Sequence, residues 1–272
     1  MPRSPDEQSV LTRFAQEYQQ GQALVIREIE RAVCGCDYGG TSWTTRDEAQ
    51  RTGQLLGLGP GKRLLDLGAG AGWPGVYLAR VTGCDIALVD VPLEGLRIAA
   101  ERAVADQLLG ECWIIVADGV ALPFKSEWFD AIGHSDVLCC LEAKLSVLKE
   151  CRRIARTNGR MVFTVISIAP ALSPAEYERA VAAGPRFKGL GAEYLPMLEQ
   201  AGWRLTDHID LTSEYAAAAH QMLREEEVRA DALIQLLGDA EFADRLARMR
   251  RTVRALDENM LRRELFGATA TA

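Results

Sequence analysis

Apolar residues change their spacing three times along the chain. From Leu11 to Val33 they recur at three- and four-residue steps, as Leu11, Phe14, Ala15 and Tyr18, then Val25, Ile26, Ile29 and Val33. That spacing predicts one or two amphipathic helices joined near Gly21. Residues 34–44, CGCDYGGTSWT, carry no period and predict a loop. Thr45 then stands three residues before Glu48, the capping-box pattern, and predicts a helix running to about Leu56.

From Arg63 the pattern becomes short apolar runs separated by helical stretches. Runs at 63–67, 84–91, 112–118, 128–136 and 160–167 read as strands. Between them, helices are predicted from Pro74, from Leu93 to Leu108 and from Leu141 to Arg156, with Asn158-Gly159 as a turn. The alternation predicts an α/β fold with a doubly wound, Rossmann-like parallel sheet. Ligands of such sheets lie outside the carboxyl ends of the strands, near the switch in strand order. Those ends are Asp66 to Gly70, Asp90, Asp118 and His134 to Asp136.

After Ile168 the pattern changes again, to a helical stretch holding Tyr177 and Tyr194 and a strand over 203–211. Two helical runs, Glu214 to Leu237 and Asp239 to Leu261, precede a last strand in 261–270. The predicted architecture is a mostly parallel sheet with an N-terminal helical cap and a helical insertion before the last strand. We expect one domain over 1–272, with cap and lid loop in 1–60, a cofactor-binding core in 61–170, and last strands plus a helical lid in 171–272.

Composition narrows the function. A net charge of −7 without a basic block argues against nucleic acid as a partner, because phosphate binding needs clustered Lys and Arg. Neither a membrane-length apolar run nor the apolar core of a secretory signal is seen, so a cytoplasmic protein is expected. Seven cysteines are an odd count, and Cys84, Cys139, Cys140 and Cys151 fall in or beside apolar segments, as reduced core thiols do. Cys34 and Cys36 lack a second pair at zinc-site spacing, and no metal is expected.

The candidate chemistry is concentrated in RLLDLGAGAGWPGV, residues 63–76, where an apolar strand runs into Gly68, Gly70, Gly72 and Gly75. Such a turn lets a nucleoside or phosphate lie against main-chain amides. Gly70, Gly72 and Gly75 spell the dinucleotide fingerprint G-x-G-x-x-G, with Asp90 about 20 residues on, which reads as an NAD(P)-dependent oxidoreductase. The strand, however, ends two residues before Gly70, and counted from Gly68 the third required glycine falls on Trp73. The alternative D-x-G-x-G-x-G takes in Asp66, Gly68, Gly70 and Gly72 and gives the carboxylate a task, holding an ammonium group. Asp90 can then accept ribose hydroxyls, and Asp118 stands where an adenine amine would lie.

In these residues the chain resembles the class I S-adenosylmethionine-dependent methyltransferases, from about Gly61 to Ser167. The segment ADGVALPFKSEWFDAIGHSDVL, with Leu122-Pro123-Phe124 and Phe129-Asp130, is similar to that family's stretch from third to fourth strand. The resemblance implies S-adenosyl-L-methionine as cofactor. It puts Asp66, Gly68, Ala69 and Gly70 at the methionine end, Asp90 and Val91 at the ribose, and Asp118 and Gly119 at the adenine. His134, Trp43 and Trp73 are further candidate contacts. Pro92 departs from the pattern, standing where many relatives have a small polar residue.

Methyl transfer from a sulfonium needs chiefly an acceptor held about 3 Å from the methyl in a dry pocket. His134, at the fourth strand end, is the one candidate catalytic residue, with a buried structural histidine as the other reading; an unperturbed imidazole titrates near neutrality. The loop carrying Tyr38 and Trp43 precedes the core helix closely enough to cover the cleft, so both are candidate contacts to a small-molecule acceptor. The late helices are similar to the variable cover of small-molecule members. Two further readings are a non-catalytic S-adenosylmethionine-binding protein and the oxidoreductase.

Overall fold

The computed structural model describes residues 4–271. Three helices come first: α1 (Pro5–Gly21), α2 (Leu24–Cys34) and α3 (Arg46–Leu56). The first starts earlier than the apolar spacing predicts. Ser4 and Glu7 form a reciprocal capping box, and Pro5 occupies the first turn, where its missing N–H costs nothing.

The core follows as β1 (Arg63–Leu67), α4 (Gly75–Thr82), β2 (Asp85–Asp90), α5 (Leu93–Ala105), β3 (Cys112–Val116), β4 (Phe129–Ser135), α6 (Lys144–Ile154) and β5 (Ala155–Ile168). Then come α7 (Pro174–Ala182), α8 (Tyr194–Gln200), β6 (Trp203–Asp210), α9 (Thr212–Val228), α10 (Ala230–Leu237), α11 (Asp239–Asp257) and β7 (Leu261–Ala270). The sheet order is β3-β2-β1-β4-β5-β7-β6. All neighbours from β3 through β5 pair in parallel, and β7 runs antiparallel to both β5 and β6. This is the doubly wound, mostly parallel sheet expected, with helical segments on the N-terminal side and three helices inserted before the last strand. Strand order reverses between β1 and β4, so the cleft opens above those two strand ends.

Both sheet faces are covered, which is why the strands read as apolar runs rather than as alternation. Leu64, Ile86, Ala131 and Val162 pack against α3 and α4, while Leu65, Val89, Ile132 and Phe163 pack under α6 and α8.

Several predicted boundaries shift for local reasons. The helix expected over 141–156 is shorter at both ends: a 3-10 turn, Leu138–Cys140, precedes it, and α6 starts at Lys144 and ends at Ile154 because Ala155 already pairs with Phe129. The Asn158-Gly159 turn lies within β5 as an excursion: Phe129 pairs with Ala155, whereas Ala131 pairs with Arg160. The first late helix breaks at Arg229, whose side chain pairs with Glu225 and Glu28. The second stops at Asp257, short of the predicted Leu261, because β7 starts there.

Candidate functional site

Each tip on the carboxyl edge of the sheet is shaped by the turn that follows it. Gly68, Gly70 and Gly72 all have positive φ (71°, 50° and 97°), a region costly for residues with a Cβ. A Cβ on Gly68 would overlap Val137, and one on Gly72 would come within 2.8 Å of Val76. Asp90 fixes this turn from the neighbouring strand. Its Oδ2 accepts from Gly70 N–H at 2.7 Å and its Oδ1 from Val91 N–H at 2.7 Å.

Ten of the twelve residues singled out from sequence line one cavity of about 800 Å³. Asp66, Gly68, Ala69, Gly70 and Trp73 come from the first tip and its turn, Asp90 and Val91 from the second, Asp118 and Gly119 from the third, and Trp43 from the loop before α3. The cavity continues past these tips under α1, α9 and α11, where Leu11, Phe14, Leu141, Ile166 and Tyr215 line a second lobe together with the charged Glu17, Arg248 and Arg251. Trp43 stands edge-on to Tyr215, with centroids 5.0 Å apart, and joins the loop to that lobe. Trp73 is also a strut: its indole Nε1 donates to Thr44 O at 2.7 Å, tying the loop to the glycine turn.

Two candidates are not brought there. Tyr38 is buried behind Trp73, its hydroxyl donating to Asp106 at 2.9 Å and its ring under the Arg102 guanidinium at 4.2 Å. The apolar body of Tyr38 packs, and its polar tip finds a carboxylate away from the cleft. His134 also misses the cavity. Asp66 pairs with Gly133 across the sheet, so the next side chain, His134, points to the opposite face. There its ring stacks on Phe163 at 4.8 Å, and burial pushes its pKa down to about 3. A neutral imidazole beneath the sheet is not placed to take a proton from an acceptor.

The structure adds residues that the motifs did not flag. Tyr18 of α1 lines the cavity beside Gly70, with its hydroxyl facing Asp90 and Thr41. Below the cavity, Arg263 of β7 is 1% exposed and forks between two carboxylates. Its Nη1 and Nη2 donate to Glu48 at 2.7 and 2.8 Å, and its Nε donates to Asp136 at 3.0 Å. Its Nη2 also reaches Thr164 at 3.2 Å and Thr44 at 3.4 Å, so one guanidinium gathers the loop, α3, β4 and β5. Glu48 is therefore only half of the predicted capping box. Its N–H donates to Thr45, but its carboxylate turns away to Arg263. Asp136 itself lines the cavity, with φ at +55°, a conformation to which Asp is better suited than most residues.

Burial dominates the electrostatics of the tips. It lifts Asp66 from 3.8 to about 7, with the nearby Asp90 charge adding to the effect, and lifts Asp90 to about 6 against the N–H groups of Gly70 and Val91. Asp66 Oδ2 has no hydrogen-bond partner and faces Gly75, where a Cβ would overlap it. Because folding raises this pKa, the folded state holds a proton that the unfolded chain has lost at intermediate pH. Stability from this group is thus greatest below pH 4 and falls as pH rises through about 7. Asp66→Asn should remove that loss, making the ligand-free protein more stable at pH 8 by on the order of 2–4 kcal/mol and little changed at pH 4. The same variant should bind S-adenosylhomocysteine about tenfold or more weakly, since the ammonium loses its carboxylate. Thermal unfolding at both pH values and calorimetric titration check the pair of outcomes.

A bare glycine cradle, a buried carboxylate with an orphan oxygen at the first tip, and carboxylates at the next two fit an adenosyl group ending in an amino acid. A pyrophosphate finds no such fit, because Asp66 would meet it with like charge.

Comparison with known proteins agrees with this geometry. A family model described as a methyltransferase domain matches residues 65–163. The (+)-O-methylkolavelool synthase of Herpetosiphon aurantiacus is 27% identical over 175 residues, 63% of this chain and 62% of that protein. The chain spans about 40 to 62% of the length of the first curated relatives it matches. Among solved structures, geranyl diphosphate C-methyltransferase from Streptomyces coelicolor, in complex with Mg2+, geranyl diphosphate and S-adenosyl-L-homocysteine, superposes with a TM-score of 0.75 at 13% identity, over 99% of this chain and all of that one. The 4+2 cyclase SpnF superposes at 0.73 with 20% identity, over 100% of this chain and 98% of that one. Residues 65–163, from β1 into β5, thus match a methyltransferase domain, and that stretch holds the glycine cradle and the carboxylates at three successive strand tips.

Proposed function

We propose that this protein transfers the methyl group of S-adenosylmethionine to an oxygen, nitrogen or carbon atom of a small molecule. The observation that carries the reading is the continuity of one cavity from the carboxylate-tipped glycine turn into a second lobe, lined by apolar and charged side chains, under α1, α9 and α11. A protein that only holds the cofactor has no use for the second lobe. When bound, S-adenosylmethionine supplies a methyl already activated by the sulfonium charge. The chain's own part is to bind, orient and exclude water. In this reading Asp66 holds the ammonium, Asp90 and Val91 the ribose, and Asp118 and Gly119 the adenine, with Ala69 and Trp73 walling the turn. Trp43 and Tyr215 close the acceptor side.

No general base is assigned, because His134 lies beneath the sheet, and acceptors whose proton leaves readily need none. The chain acts as one domain here, since α9 and α11 line a cleft whose floor is the β1–β4 switch. Among the described residues no helix is long and apolar enough to cross a membrane. Together with seven free cysteines, five of them buried, this supports a cytoplasmic enzyme.

A second reading, binding without methyl transfer, has one observation in its favour. A solved structure of the same fold over the whole chain is named as a cyclase. Titration with S-adenosylmethionine and with NAD, followed by incubation of the protein with metabolite extracts, separates the readings. The proposal expects micromolar or tighter binding of S-adenosylmethionine, none of NAD, and metabolites heavier by one methyl group only when cofactor is added. Cofactor binding without any such product favours the second reading, and binding of NAD alone ends both.

A further inference from the structure

Resting on the S-adenosylmethionine reading, we propose that Tyr18 belongs to the ribose subsite, its hydroxyl receiving one ribose hydroxyl while Asp90 receives the other, so that the bound nucleoside fixes α1 over the cleft. The ring sits in space that two glycines leave for it. A Cβ on Gly70, in the turn, would stand 2.8 Å from the Tyr18 hydroxyl, and one on Gly95, in α5, would stand 2.8 Å from the Tyr18 ring. Only 6% of the residue is exposed, yet it lines the cavity.

Helix α1 is held at both ends, so this position is not that of a loose arm. Ser4 Oγ donates to Glu142 at 2.9 Å near its start, and Gln20 donates to Glu241 at 2.8 Å near its end.

Counting acceptor sites gives Tyr18 its role. A carboxylate offers about four lone-pair positions. Gly70 N–H and Val91 N–H fill two of those on Asp90. The Tyr18 hydroxyl stands beside Gly70, faces the same carboxylate and competes for the rest. Two positions then remain for three hydroxyls, that of Tyr18 and the two of the ribose. With Tyr18 donating into one of them, the second ribose hydroxyl has the Tyr18 oxygen as its acceptor.

Tyr18→Phe keeps the ring and removes only the hydroxyl, so unfolding temperature serves as a check that the fold is retained. The probes are S-adenosylhomocysteine and its 2′,3′-dideoxy analogue, titrated into parent and variant. The expected result is an affinity for S-adenosylhomocysteine about threefold to tenfold lower in the variant, with the dideoxy analogue bound equally by both proteins. Hydrogen exchange across α1 should slow on binding S-adenosylhomocysteine in the parent, and less in the variant. Equal losses for both probes, no loss, or tighter binding by Tyr18→Phe overturns the proposal. Failure of the parent to bind S-adenosylhomocysteine at all instead overturns the functional reading beneath it.

Discussion

Asp90→Ala is expected to weaken S-adenosylhomocysteine binding by about a hundredfold or more, while changing the unfolding temperature of the ligand-free protein little. Two losses combine in the first effect. A charged acceptor for a ribose hydroxyl disappears, and hydrogen bonds to charged groups contribute roughly 1.5–3 kcal/mol each. The Gly70 N–H also loses the carboxylate that shapes the turn. The second effect is small because opposing terms meet at this residue: two backbone hydrogen bonds are removed, but so is the burial that lifts Asp90 to about 6. Isothermal titration and thermal unfolding at pH 7.5 test the split. A variant that binds like the parent would show that the second strand tip does not carry the ribose.

The tips were legible in the sequence because they depend on local rules. A strand followed by glycines, and carboxylates where successive apolar runs stop, mark a sheet edge whatever lies further along the chain. Asp66, Asp90 and Asp118 were found in that way. What escaped depends on long-range packing. Tyr18 reads as one more apolar position of a helix, and only the fold brings it to Gly70 and Gly95, more than 50 residues away in sequence. Tyr38 and His134 show the converse error. Each stands near a strand tip or lid in sequence, but its direction is set by packing: Tyr38 by Asp106 and Arg102, His134 by the alternation of β4. Alternation excludes His134, since Asp66 pairs with Gly133 and so lies on the face that His134 does not share. A similar signal was present at Arg263, a charge flanked at two-residue spacing by Leu261 and Leu265, both fully buried. A lone charge on the inward face of a strand calls for a buried partner.

That partner set leads to the largest expected loss of stability. Arg263→Met should destabilise the protein by about 3–5 kcal/mol at pH 7.5, because it leaves the buried Glu48 and the half-buried Asp136 without their cation. The loss should depend on pH in a defined direction. In the parent, burial raises the Glu48 pKa and Arg263 pulls it back; in the variant only the raising influence remains. Glu48 then prefers its protonated form in the folded state, with a pKa above that of the unfolded chain. A group of that kind costs least stability at low pH and progressively more as pH rises past the unfolded value near 4. The gap between parent and variant is therefore expected to be smallest at about pH 4.5 and to widen toward pH 8, as read by urea denaturation across that range. Adding Glu48→Gln to Arg263→Met should recover part of the loss and flatten the pH dependence, since one of the two stranded charges is gone. If the single variant is as stable as the parent at pH 8, the guanidinium is dispensable. The loop at Thr44, α3 and the Asp136 floor of the cavity would then be held together by apolar packing alone.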